Sequence, residues 1–112
     1  MKKVDTFTAT IYVGFKERDT GVIYTMDEAR DLCQKYVDEV GLCVTITPVE
    51  YIYTEGNEPG CAVGLINYPR FPSDPDTIKN HALALARILL EAFRQYKVSI
   101  VFPDETIMLE KA

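Results

Sequence analysis

Thr25-Met26-Asp27-Glu28-Ala29-Arg30-Asp31-Leu32-Cys33-Gln34-Lys35-Tyr36-Val37-Asp38-Glu39-Val40-Gly41 reads as one helix with both ends marked. Thr25 is placed to cap the N-terminus, and Glu28 stands at the reciprocal position of a capping box. Ala29, Leu32, Cys33, Tyr36, Val37 and Val40 recur at the i, i+3, i+4, i+7 spacing of a single helical face. Gly41 supplies the left-handed residue that closes such a helix.

Working outward, residues 6–16 set Phe7, Ala9, Ile11, Val13 and Phe15 against Thr8, Thr10, Tyr12 and Gly14. Period two with β-branched and aromatic residues predicts a strand with one face on the core. Residues 16–21 form a charged turn ending in Gly21. Beyond the helix, residues 42–53 are predicted as a second strand, which Pro48 interrupts as a bulge or an edge position. Residues 54–60 are expected as a polar hairpin loop, and residues 61–68 as the returning third strand. A stiff connector, Pro69-Arg70-Phe71-Pro72-Ser73, leads into a second helix. That helix is expected to start near Ser73 or Asp74, with Pro75 in its first turn, and to run to about Tyr96. Residues 98–102 are a fourth strand, and residues 106–109 are compatible with a further short one. No internal repeat, low-complexity segment or linker interrupts the chain.

The order β-α-β-β-α-β predicts an α+β, ferredoxin-like fold, a single domain spanning residues 1–112. Right-handed crossovers would place both helices on one face of a four-stranded antiparallel sheet. The other face is left open.

A chain of 112 residues with 47% hydrophobic and 26% charged residues has the composition of one folded domain, which argues against disorder. A net charge of -5 argues against non-specific nucleic-acid binding, which depends on neutralising phosphates with Lys and Arg. Three cysteines without CxxC spacing suggest reduced thiols. In an assumed hairpin register with Tyr53 opposite Cys61, Cys43 falls out of step, which argues against a Cys43–Cys61 bridge. All three thiols are expected to be inert core residues. The N-terminus carries Lys2 and Lys3 with no long apolar run behind them, so no signal peptide is expected. No segment has the apolar length of a membrane span. The cytoplasm is the default compartment.

Two apolar excesses suggest assembly. In the assumed register, Val49, Tyr51, Tyr53, Val63 and Leu65 share one sheet face, while Ile46, Ile52, Ala62 and Ile66 share the other. A sheet covered on one side only should alternate more cleanly. On the second helix, Ile78, Ala82, Leu85, Leu89, Ala92, Phe93 and Tyr96 form a stripe that Leu83, Ala86 and Leu90 widen beyond what one sheet contact needs. A homo-oligomer, at least a dimer, is the expected partner arrangement.

Signals of chemistry are sparse. His81 is the only histidine and falls on the margin of the second helix's stripe, where packing is its ordinary role. One histidine and no clustered thiols argue against a transition-metal site, and no cofactor is implied. Neither Ser73 nor Ser99 sits in a nucleophile elbow, and no GxGxxG or Walker A pattern occurs. Seven tyrosines stand out, with Tyr12, Tyr51 and Tyr53 on the expected open face. Aromatic faces with polar tips suit either a subunit interface or stacking on a planar ligand. Arg70, held between two prolines beside Phe71, is read first as a surface salt-bridging residue and second as a guanidinium that could grip an anion. The candidate ligand-binding residues are therefore Tyr12, Tyr51, Tyr53, Arg70, Phe71 and His81.

The Ile11-Tyr12-Val13-Gly14 strand, the Thr25-capped helix, the arm at residues 44–53 and the late Lys97-Val98-Ser99-Ile100 strand resemble small uncharacterised ferredoxin-like proteins of bacteria and their phages. The resemblance implies the fold and leaves activity open. Some phage proteins of this size are oligomeric inhibitors or sponges of a host nucleotide signal, and the chain is similar to them in size and inferred oligomerisation. The first functional expectation is accordingly a non-catalytic homo-oligomeric binding module that holds a small planar or phosphorylated ligand at a subunit interface. The alternative is a small dimeric enzyme of the α+β-barrel type, an oxygenase or isomerase with His81 as acid/base and Tyr12 or Tyr51 as hydrogen-bond donor. A purely structural interaction protein is the third.

Overall fold

The computed structural model describes residues 1–112. Helix α1 (Met26–Val40) follows its caps closely. Thr25 Oγ1 accepts from the Glu28 amide at 3.1 Å, and Glu28 Oε2 accepts from the Thr25 amide at 2.8 Å. Gly41 closes the helix at φ 70°, donating its amide to the Val37 carbonyl. Helix α2 (Pro75–Ala92) is capped by Asp74, whose carboxylate accepts from the Thr77 amide at 2.8 Å. That bond holds the Asp74 carboxyl below the usual carboxylate range. The helix stops short of the expected Tyr96 because Arg94 takes a left-handed φ of 49°, which a continuing helix forbids.

Strands β1 (Thr8–Gly14), β2 (Thr45–Tyr53), β3 (Gly56–Ile66), β4 (Lys97–Val101) and β5 (Thr106–Glu110) form one sheet, in the order β2-β3-β1-β4-β5. Every neighbouring pair is antiparallel. The sheet thus has five strands where four were expected. The fifth forms because Pro103-Asp104-Glu105 turns tightly enough for the Phe102 amide to reach the Glu105 carbonyl at 2.8 Å. The returning chain then pairs with the whole of β4.

The β2–β3 hairpin also departs from expectation. Tyr53 pairs with Gly56 rather than Cys61, and residues 56–60 belong to β3 instead of a loop. The turn is only Thr54-Glu55, with Glu55 at φ 62°. Pro59 is tolerated because the Phe15 carbonyl, which would have needed its missing N–H, accepts from Tyr24 at 2.9 Å instead. Since a one-residue slip exchanges the faces of a strand, the observed register separates residues that the expected one puts on a single face. Val49, Tyr51 and Tyr53 share their face with Gly60, Glu58 and Gly56, while Val63 and Leu65 lie on the opposite one.

Ala9, Ile11, Val13, Cys61, Val63, Leu65, Val98 and Ile100 are buried on the helix-covered side of the sheet. Ala86 and Leu90 are buried too, against expectation, because α2 packs against α1 and also over β1, β4 and the added β5. The wide stripe of α2 is consumed within one chain. The open face keeps Tyr12, Ile66, Val101 and Met108 between 40% and 47% exposed. Cys33 and Cys61 are buried thiols, pushed up to about 11 and about 12 by desolvation. Cys43 is exposed, a correction to the core role expected of it, since it lies in the link between α1 and β2.

Candidate active site on the open sheet face

Near one end of the open face, Gly14 of β1 lies opposite Gly60 of β3. Two facing glycines leave the backbone bare, and neighbouring side chains close over it. The Tyr51 ring lies across Gly60, and its hydroxyl donates toward the Cys61 carbonyl at 3.1 Å and the Val13 carbonyl at 3.3 Å. Burial pushes the Tyr51 hydroxyl well above its ordinary range, with Cys61, Tyr12 and Glu58 adding to the effect. It therefore keeps its proton across the physiological range.

Glu58 is the cross-strand partner of Tyr51 and shares its face. The carboxylate leans over Gly14, with Cδ and Oε2 both 3.1 Å from the point a Gly14 Cβ would occupy. Gln95 Oε1 reaches the same point, also at 3.1 Å. The turn at Arg94 delivers Gln95 here, folding the chain back from α2 over the end of β1. Tyr12, two residues before Gly14 on the same face, pairs with Ala62 and Ser99 and is 41% exposed. Beside these groups opens a hollow of about 260 Å³, lined by Lys16, Arg18, Glu58, Arg94, Gln95, Tyr96 and Lys97.

The arrangement offers aromatic rings, one carboxylate, one amide oxygen and a rim of cations. It suits a ligand with a flat apolar part and a charged, zwitterionic part. No trio of His, Cys, Asp or Glu side chains converges to hold a metal ion. No helix is long and apolar enough to cross a membrane.

Of the residues singled out in the sequence, the structure brings Tyr12 and Tyr51 together here. Tyr53 sits farther out on the hairpin arm, its ring against Gly56. Arg70 and Phe71 are exposed in the connector before α2. Phe71 lies 5.5 Å from the Tyr68 ring and borders a hollow at the C-terminal end of α1. His81 is in the helical layer, with Nδ1 2.7 Å from the Tyr36 hydroxyl. Glu58 and Gln95 were missed. Glu58 falls in the stretch predicted as a loop and Gln95 in the stretch predicted as a helix, where neither faces the sheet. The signal that could have found Glu58 is the alternation Gly56-x-Glu58-x-Gly60-x-Ala62-x-Gly64, a period-two strand whose open face is nearly bare.

No protein-family model matches the chain, and no curated protein matches it. Among solved structures, a phage SAM lyase in its apo state aligns with a TM-score of 0.78 at 19% identity, covering 94% of this chain and 89% of that one. A phage SAM lyase in complex with S-methyl-5'-thioadenosine aligns at 0.77 and 19%, covering 99% and 95%. At this identity the likeness establishes the fold. The relatives in shape are small phage proteins, in line with the resemblance drawn from the sequence. They are enzymes, which overturns the expectation of a non-catalytic binding module and favours the enzyme alternative.

Proposed function

We propose that this chain is an enzyme that cleaves S-adenosylmethionine as a lyase, with Tyr12, Tyr51 and Glu58 at its site. The observation that carries the reading is the Tyr51–Glu58 cross-strand pair, beside Tyr12, on a fold shared with a protein solved around S-methyl-5'-thioadenosine. The substrate is a planar purine joined to a sulfonium and an amino-acid tail. Tyrosine faces attract a cation through the ring quadrupole, and a nearby carboxylate adds Coulombic attraction.

The bond that must break is the one between the sulfonium sulfur and the tail's γ-carbon. Sulfur keeps the electron pair and leaves as neutral S-methyl-5'-thioadenosine. The replacing bond comes from within the tail, whose carboxylate oxygen attacks that γ-carbon and closes a lactone as the sulfur departs. A neutral thioether leaves without being protonated. The reaction therefore needs no general acid, and a site without histidine fits it. What the protein supplies is orientation and electrostatics.

The oxygenase or isomerase form of the enzyme alternative required His81, which is bonded to Tyr36 in the helical layer. The exposed Tyr12, Ile66, Val101 and Met108 support assembly of at least two copies through the open face, with the nucleoside held beside that contact. The strand order β2-β3-β1-β4 beneath two helices supports a ferredoxin-like single domain, extended by β5. Free thiols support a cytoplasmic setting.

The test is direct. Purified protein incubated with S-adenosylmethionine should release S-methyl-5'-thioadenosine, measured by liquid chromatography, and Glu58→Gln should slow the release at least tenfold. Absence of the product, together with no calorimetric binding of S-methyl-5'-thioadenosine, would refute the proposal.

A further inference from the structure

Gln95 is the most constrained polar side chain at the hollow. Its backbone amide donates to the Leu90 carbonyl at 2.9 Å, and its Nε2 donates to the carbonyls of Lys16 and Phe93, both at 3.0 Å. Carbonyls only accept, so the side-chain amide has a single allowed orientation and both of its protons are committed. Oε1 is left as a bare acceptor.

That acceptor does not face a donor. It and Glu58 Oε2 stand beside one another over Gly14, each 3.1 Å from where a Cβ bonded to that glycine would be. Glu58 takes no part in the three ion pairs of the protein, although Lys16, Arg18 and Lys97 stand around the hollow. Two groups presenting lone pairs to one spot repel unless a donor lies between them. An ammonium supplies three donors and no acceptor, and its charge satisfies the carboxylate.

We infer that Gln95 and Glu58 form the subsite for the α-ammonium of the substrate's amino-acid tail, with Gln95 setting the preference for a tailed nucleoside over a tail-less one. The inference rests on the proposed S-adenosylmethionine reading and deepens it. The cationic rim, Lys16 and Lys97 above all, complements the tail's carboxylate, so the hollow matches a zwitterion rather than a lone cation. Gly14 belongs to the device, since a Cβ there would stand 3.1 Å from both acceptors and press them out of place.

Two probes isolate the tail. S-adenosylhomocysteine keeps it on a neutral sulfur, and S-methyl-5'-thioadenosine carries a methyl group in its place. Calorimetric titration of both into wild type and Gln95→Met should show S-adenosylhomocysteine weakened about tenfold to hundredfold, the loss of a charge-assisted hydrogen bond. Binding of S-methyl-5'-thioadenosine should change by less than about twofold, a readout that a merely loosened Lys16–Phe93 tie would not spare. Glu58→Gln should show the same asymmetry. Equal weakening of both probes would assign Gln95 to the ribose or to general packing, and no weakening of either would remove it from the site. Both results overturn the inference while leaving the lyase reading intact. If wild type binds neither probe and releases no product from S-adenosylmethionine, the lyase reading itself falls and takes the subsite with it.

Discussion

The ring of Tyr51 occupies the space over Gly60, with Cε2 2.4 Å from where a Cβ on that glycine would stand. The Val13 carbonyl lies still closer to the same point, at 2.3 Å. Glycine is thus required here for a close approach across the strands, not for an unusual backbone angle. Gly60→Ala should cost about 1–3 kcal/mol, the usual penalty for overpacking a formed site. Urea unfolding measures it, and a cost below ~0.5 kcal/mol would mean that both the ring and the β1 backbone yield freely. Tyr51→Phe keeps the ring and should cost about 1 kcal/mol, through loss of the hydroxyl's bonds to Val13 and Cys61.

Tyr36 and His81 pair between the helices, hydroxyl to Nδ1 at 2.7 Å, with the rings edge-on and 5.9 Å between centroids. Tyr36 is buried, so Tyr36→Phe should cost about 1 kcal/mol. His81→Asn should lower stability by a similar amount and leave product release unchanged within about twofold. A large loss of turnover with stability intact would return His81 to the reaction.

Glu55 holds a positive φ of 62° in the hairpin turn, a conformation that costs a residue with a Cβ about 1–2 kcal/mol. Its side chain is exposed. Glu55→Asn, which accepts this region more readily, should stabilise the protein by roughly 0.5–1 kcal/mol. A rise in the thermal midpoint with unchanged nucleoside binding is the expected result.

The buried thiols Cys33 and Cys61 hold their protons to about 11 and about 12. Unfolded cysteine ionises near pH 8.5. Below that value both states are protonated and the thiols confer no pH dependence. Above it the unfolded chain loses protons that the folded one keeps, so stability falls as pH rises. The fall continues until the folded thiols titrate, at a slope of about one proton per thiol. Unfolding midpoints measured between pH 8 and 11 should drop accordingly, and Cys61→Ala should flatten the slope. An unchanged slope in that variant would show that other groups control alkaline unfolding.

Assembly has its own test. Size-exclusion chromatography with light scattering should report more than one copy per particle. Met108→Lys, placed on the exposed face, should reduce the mass to that of one chain while leaving the fold intact by circular dichroism.

The capped α1, the Asp74-Pro75 start of α2 and the alternation of β1 were legible because each is written in local chemistry. A cap needs residues three apart, a helical stripe repeats every three to four, and a strand every two. The same locality led the hairpin astray. Glycine and proline at residues 56–60 carry loop propensity, yet pairing with β1 and β2 holds them in a strand. Tertiary context outweighed propensity there.

Of the site, the sequence pointed to Tyr12 and Tyr51 through the unusual number of tyrosines. Glu58 and Gln95 could not be found that way, since each gains meaning from a neighbour distant in the chain. Gln95 is oriented by the carbonyl of Lys16, 79 residues earlier.

By itself, then, the order of residues determined which segments coil and which extend, together with the side of each that turns away from water. Only the folded chain decided which strand meets which and at what offset, because pairing energy depends on partners far apart in sequence. That offset places the Glu58 carboxylate over Gly14, the turn at Arg94 brings the Gln95 amide oxygen to the same glycine, and the proposed chemistry resides in that meeting.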